Sequence, residues 1–84
     1  MTTHDLKLWP QFWDDLASGV RAFDIRFNDR GYTVGDFVVL HEWDPATSTY
    51  TGREETRQIT YVLRALECPA RAITEGYVAI GYKQ

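Results

Sequence analysis

Three arginines, two carboxylates and an amide fall between positions 21 and 30: Arg21, Asp24, Arg26, Asn28, Asp29 and Arg30. Strand periodicity over Phe23–Phe27 sends Asp24 and Arg26 to the face opposite Phe23 and Ile25. Arg21 sits just ahead of that strand, within reach of the same face. Guanidinium groups are planar forks that match phosphate oxygens two at a time and stack on bases. The carboxylates can hold the forks in place or accept from base amino groups. Lys7, at the end of an earlier strand, can add a point charge. The ligand-binding candidates are therefore Arg21, Asp24, Arg26, Asn28, Arg30 and Lys7. If the chain is a catalyst, Asp24 or Glu42 is the candidate base and Arg21 the stabiliser of a developing oxyanion. The plainer reading of the same residues is a solvated ion-pair network around a turn, which charge runs usually are.

Other chemistry finds little support in residue types and spacing. His4 and His41 stand far apart, and Cys68 is the single cysteine, so neither a metal site nor a disulfide is expected. A lone thiol without a partner fits a reducing, cytoplasmic compartment. Ser18 and Thr33 lack the sequence context of a nucleophile, and there is no phosphate-binding glycine loop. No cofactor is implied. Trp9, Trp13 and Trp43 are stacking platforms for bases or core fillers, with Trp13 assigned to the core. Trp43 and Tyr50 flank a hairpin tip, where an exposed ring meets a partner more readily. His41 alternates with Val39 and Trp43 and is expected half-buried and satisfied. Arg53, Glu55 and Arg57 share one strand face and read as a cross-strand charge ladder.

The elements that must position these groups follow from the hydrophobic pattern. With 84 residues the chain is expected to form one domain, 1–84, and a core this small needs dense side chains. Three Trp, five Tyr and four Phe supply them. His4–Leu8 reads as a first strand. Pro10 suits a helix start, Phe12, Trp13, Leu16 and Val20 recur at helical spacing, and Gly19 suits a stop, so one helix is expected over about Pro10–Ser18. Strands follow at Phe23–Phe27, Phe37–Trp43, Glu54–Leu63 and Gly76–Gly81. Turns are read at Asn28–Gly31 and Gly35–Asp36, a hairpin tip at Ala46–Gly52 and an irregular stretch at Arg64–Glu75. The expected fold is α+β and mainly β: one N-terminal helix and about five strands, in an antiparallel sheet closing into a small barrel. Leu6, Leu8, Phe12, Leu16, Phe23, Ile25, Val38, Leu40, Ile59, Tyr61 and Val78 are the expected core.

Gly19, Arg21, Asp24 and Arg26 resemble the signature of ASCH domains: a glycine, a basic residue two on, an acidic one three further, and an arginine two beyond. The wider frame resembles the DUF3850 family of small ASCH-like proteins of bacteria and their phages. The matching pieces are His4-x-Leu6-Lys7-Leu8, Phe23-Asp24-Ile25-Arg26-x-Asn28-Asp29-Arg30, Val34-Gly35-Asp36, Glu42-Trp43, Tyr50-Thr51-Gly52-Arg53 and Ile59-Thr60-Tyr61. The resemblance implies a PUA-like barrel with a cleft between helix and sheet where related domains bind RNA. Some small ASCH relatives hydrolyse the amide of N4-acetylcytidine with a lysine at the signature's basic position. This chain carries Arg21 there and Asp24 where Glu is usual. Arginine is a poor base or amine nucleophile, so the departure disfavours that chemistry and leaves ligand binding intact.

A formal net charge of −3 argues against sequence-blind binding to duplex nucleic acid, though not against a local basic cleft. The leading expectation is a binding module for RNA or a modified nucleotide. The alternatives are a small nucleoside amidohydrolase and a phage-type protein that inhibits a host protein partner. No secretory or membrane-spanning stretch is expected, and the chain is read as a monomer.

Overall fold

The computed structural model describes residues 1–67 and 72–83. Cys68 and Pro69 lie outside the described residues. Five strands form one strongly curved sheet, a half-barrel: β1 (Thr3–Leu8), β2 (Phe23–Phe27), β3 (Phe37–Asp44), β4 (Thr49–Arg64) and β5 (Tyr77–Lys83). Their order across the sheet is β1-β3-β4-β5-β2. The fold class is α+β, mainly β, as the pattern predicts. One pairing differs from the antiparallel expectation, because β1 and β3 run parallel. The chain between them contains the helix and β2, a crossover long enough to return the chain in the same direction.

The helix is shorter than its hydrophobic spacing indicates. Pro10–Phe12 forms a 3₁₀ turn and α1 covers Trp13–Ser18. Gly19 ends it in the left-handed region (φ +86), its N–H donating to the Leu16 carbonyl at 3.1 Å. Trp13 and Leu16 face the core, whereas Val20 has passed the helix end and is exposed. Arg57 reaches from β4 to the same helix end and donates through Nη2 to the Leu16 carbonyl at 2.9 Å. A cation at a helix C-terminus gives this carbonyl a second donor and meets the negative end of the peptide dipoles.

The core joins Leu6, Leu8, Trp13, Leu16, Tyr32, Val38, Leu40, Ile59, Val78, Ile80 and Tyr82. Phe12 packs partly against it. Three residues assigned to the core from alternation are on the outside instead: Phe23, Ile25 and Tyr61. On β2 the inward residue is Asp24, and the apolar Phe23, Ile25 and Phe27 face outward. Alternation records two faces but not which one points in. Tyr61 is displaced by a bulge. Ile59 pairs with Tyr82 and Tyr61 with the adjacent Gly81, which leaves Thr60 extra on β4. One extra residue reverses the inside–outside phase, so Ile59 and Val62 reach the core while Tyr61 and Leu63 turn outward.

Candidate functional site

Arg21, Asp24 and Arg26 form one network. After Gly19 the chain doubles back, and the Arg21 N–H donates to the Asp15 carbonyl at 2.9 Å, which sets Arg21 beside β2. Asp24 is buried on the inner face. Its Oδ1 accepts from Arg21 Nη2 at 3.1 Å and its Oδ2 from Arg26 Nε at 2.9 Å. Arg26 then extends to β1 and donates through Nη2 to the Lys7 carbonyl at 2.7 Å. Arg21 lies 5.0 Å from the Phe12 ring centroid and 5.9 Å from that of Phe23. Its Nε is buried and makes no hydrogen bond. Beneath this network the Tyr82 hydroxyl donates to the Phe23 carbonyl at 3.3 Å. Burial pushes that phenol's pKa up, and the Asp24 charge pushes the same way.

The network floors an open cleft of about 310 Å³, lined by Lys7, Leu8, Trp9, Phe12, Arg21, Asp24, Ile25 and Arg26. It lies between the 3₁₀ turn that precedes α1 and the facing edges of β1 and β2. Trp9 stands at its rim, half-exposed. A second cleft of about 260 Å³ adjoins it, lined by Asp5, Leu6, Lys7, Arg26, Arg30, His41 and Tyr50. Lys7 and Arg26 belong to both. The two clefts carry four cationic side chains against two carboxylates, in a chain whose net charge is −3. A third depression, of about 320 Å³, is lined by Ala65, Leu66, Ile73, Thr74 and Glu75, with no cation among the described residues.

The chain matches the family described as a domain of unknown function, DUF3850, over residues 3–82. It belongs to that family. It is also 36% identical over 59 residues to a protein of Escherichia phage P2, described as an uncharacterized 12.9 kDa protein in the GpA 3' region. That likeness takes in 70% of this chain and 52% of the phage protein, so the chain spans about half the length of that relative.

The remaining expected site residues of this DUF3850 chain are dispersed. Arg30 joins the second cleft, where its Nη1 donates to the Asp5 carbonyl at 2.6 Å. Lys7 places its ammonium 4.0 Å from the Trp43 ring centroid, and the Tyr50 ring stands edge-on to Trp43 at 4.8 Å. Asn28 lines neither cleft; its side-chain oxygen accepts from the Tyr32 N–H at 3.3 Å and braces the turn after β2. Glu42 lines neither cleft either. It is 1% exposed on the inner face of β3. Two Arg53 donors grip it at 2.8 and 2.7 Å, and the Thr51 hydroxyl donates at 2.5 Å. Those bonds, Arg53's first, hold its carboxyl below the usual carboxylate range.

A bulge makes the Glu42 cradle. His41 pairs with Glu54 and Trp43 with Tyr50, so Glu42 faces the three residues Thr51, Gly52 and Arg53. Gly52 takes φ +96, which lets Thr51 and Arg53 turn to the same face. The expected ladder of Arg53, Glu55 and Arg57 is thereby split. Arg53 belongs to Glu42, and Arg57, itself buried, keeps Glu55 at 2.9 Å. A further pair was not foreseen. His4 is buried and its Nε2 lies 2.9 Å from Asp36 Oδ2, with the Tyr32 ring 4.9 Å away. The His4 bond and then the Thr2 N–H hold the Asp36 carboxyl low. The sequence signal was present in His4 sharing an alternation with Leu6 and Leu8. Its partner, 32 positions away, was not readable. His41 is half-buried between Asp5 and Glu54, as expected.

Proposed function

We propose that this DUF3850 chain is an RNA- or nucleotide-binding module of the PUA-like, ASCH type, whose ligand enters the helix–sheet cleft over Arg21. The observation that carries the reading is the state of Arg21. One amino group is fixed by Asp24, and the guanidinium is laid against the Phe12 and Phe23 rings. Among the described residues its Nε is buried and unpaired. A pre-oriented fork with an unused donor suits a phosphate oxygen or a base carbonyl. Trp9 at the rim offers a face for base stacking. Arg26 gives its Nε to Asp24 and an Nη2 donor to the Lys7 carbonyl, which ties the cleft to β1. A cytoplasmic protein of phage or bacterial origin fits this reading and the kinship with the phage protein.

The same geometry favours binding over turnover. Both Asp24 oxygens accept from arginines. Glu42 is sealed beneath Arg53 away from the cleft, and neither carboxylate is free to act as a base.

The test is a titration of short single-stranded RNA and cytidine nucleotides into the wild type, Arg21→Ala and Trp9→Ala, each with a melting curve. Wild type binds at low salt. Each substitution weakens it by tenfold or more, about 1.4 kcal/mol, with the fold retained. The salt slope should be shallow, roughly −0.7 for each of about two phosphates neutralised. Absence of any binding at low salt by the folded wild type overturns the reading.

A further inference from the structure

The two adjoining clefts share the Lys7 and Arg26 side chains, and each holds the same pair of chemistries. In the first, Arg21 accompanies Trp9, which is 50% exposed. In the second, Arg30 accompanies Tyr50, which is 54% exposed. A fork-shaped cation beside an open aromatic ring is what a single-stranded nucleic acid uses at each nucleotide. The cation takes the phosphate and the ring takes the base. Here that combination occurs twice, with a shared cationic wall between.

The edge of β1 sets the repeat. Arg26 Nη2 donates to the Lys7 carbonyl at 2.7 Å, and Arg30 Nη1 donates to the Asp5 carbonyl at 2.6 Å. These carbonyls belong to alternate residues of one strand, so they point the same way and lie roughly 6.7 Å apart. The two guanidiniums are anchored at that repeat, which is close to the distance between successive phosphates of an extended strand. A guanidinium carries several N–H donors, and each bond to β1 takes one of them. The Arg30 side chain is 42% exposed and that of Arg26 22%. Each carboxylate of the two clefts has a partner of its own. Asp24 holds Arg21 and Arg26, and Asp5 Oδ1 lies 2.9 Å from His41 Nε2. The Lys7 ammonium, 4.0 Å from the Trp43 ring centroid and 5.8 Å from that of Tyr50, adds a point charge beside the second ring.

We propose that the second cleft is the neighbouring nucleotide subsite of the same ligand, so that the chain binds a single RNA strand of two or more nucleotides along the β1 edge. One base lies against Trp9 and the next against Tyr50, with the phosphates along Arg21, Arg26 and Arg30. This rests on the reading of the Arg21 cleft as a nucleotide site and goes beyond it by setting the ligand's length and path. A mononucleotide fills only the first half of the site. A third nucleotide meets no further ring in either cleft and adds little.

Calorimetric titration at low salt decides, with cytidine monophosphate and the di- and trinucleotides of cytidine as probes, each bearing a terminal phosphate. Wild type should bind the dinucleotide about tenfold tighter than the monophosphate, the gain expected from one more stacked base and its phosphate. Arg30→Ala and Tyr50→Leu should each bring the ratio of dinucleotide to monophosphate affinity towards one. Arg30→Ala should also lower the salt slope for the dinucleotide by roughly 0.7, the share of one phosphate. Equal affinity of wild type for the two probes overturns the second subsite and leaves the Arg21 reading standing. A gain with length that survives undiminished in either folded variant does the same. Binding of none of the probes overturns both. Melting curves check each variant, and if one fails to fold, the wild-type length series and the other variant decide.

Discussion

At the scale of single residues, the chain buries three carboxylates and pairs each one. Asp24 holds two arginines, Asp36 a histidine, and Glu42 an arginine and a threonine. Desolvation alone would push such groups to protonate, and it is overcome wherever cationic or hydroxyl donors converge. For Asp36 and Glu42 the bonds win, and the folded-state carboxyls titrate below their ordinary range. A carboxyl with a depressed folded pKa adds stability that is complete above its unfolded pKa, near 4, and is lost as pH falls through the folded value. Stability should therefore be level from neutral pH to about 5 and then drop steeply as the solution is acidified further. Chemical denaturation midpoints from pH 7 to about 2.5 measure this. Arg53→Gln should shrink the acid-dependent part of the loss, because Glu42 then titrates closer to its free value. An unchanged pH profile in that variant would show that Arg53 does not hold Glu42 down.

At the scale of elements, the two edge strands present the main structural problem. In the β1–β3 ladder the Phe37 N–H takes the Thr2 carbonyl, so alternation leaves the Asp5 and Lys7 carbonyls on the free edge. A free edge invites pairing with another chain. Arg30 and Arg26, from the β2 side, donate to these two carbonyls. Side chains thus close the half-barrel where no backbone ladder does. Hydrogen bonds to charged donors are worth about 1.5–3 kcal/mol when sheltered, less when exposed. Arg26, the more buried, should cost about 1–2 kcal/mol on Arg26→Ala, and Arg30→Ala less. Thermal melts of both variants, with hydrogen exchange on β1, would test the closure. Equal stability to wild type in Arg26→Ala would show that it contributes nothing.

At the scale of the whole molecule, stability is concentrated on one side of the sheet. Leu16, Val38, Leu40 and Ile80 are fully buried, while the β2 apolar residues are not. Leu16→Ala should therefore cost about 2–5 kcal/mol through lost burial and an unfilled cavity. Phe23→Ala should cost below about 1 kcal/mol, since more than half of the ring is already in water. A Phe23→Ala penalty as large as that of Leu16→Ala would place that ring in the core after all.

The amino-acid sequence alone determined the element types, the position of four of the five strands to within a few residues, the family and the Arg21–Asp24–Arg26 grouping. These are local properties: alternation, turn residues and short spacings act over a handful of positions. Four matters were left to the tertiary structure. The face of β2 that points inward was decided by a buried ion network, whose members come from the helix end, β2 and β1. The register of β4 was decided by bulges at Gly52 and Thr60, two extra residues at the first and one at the second, whose effect depends on the strand opposite. The parallel β1–β3 pairing and the His4–Asp36 bond join segments about thirty positions apart. Asn28 and Glu42 were assigned to the site by residue type, and packing placed one in a turn and the other beneath Arg53. Polar residues satisfied at long range look like solvated ones in a sequence, because their partners are supplied only when the chain has folded.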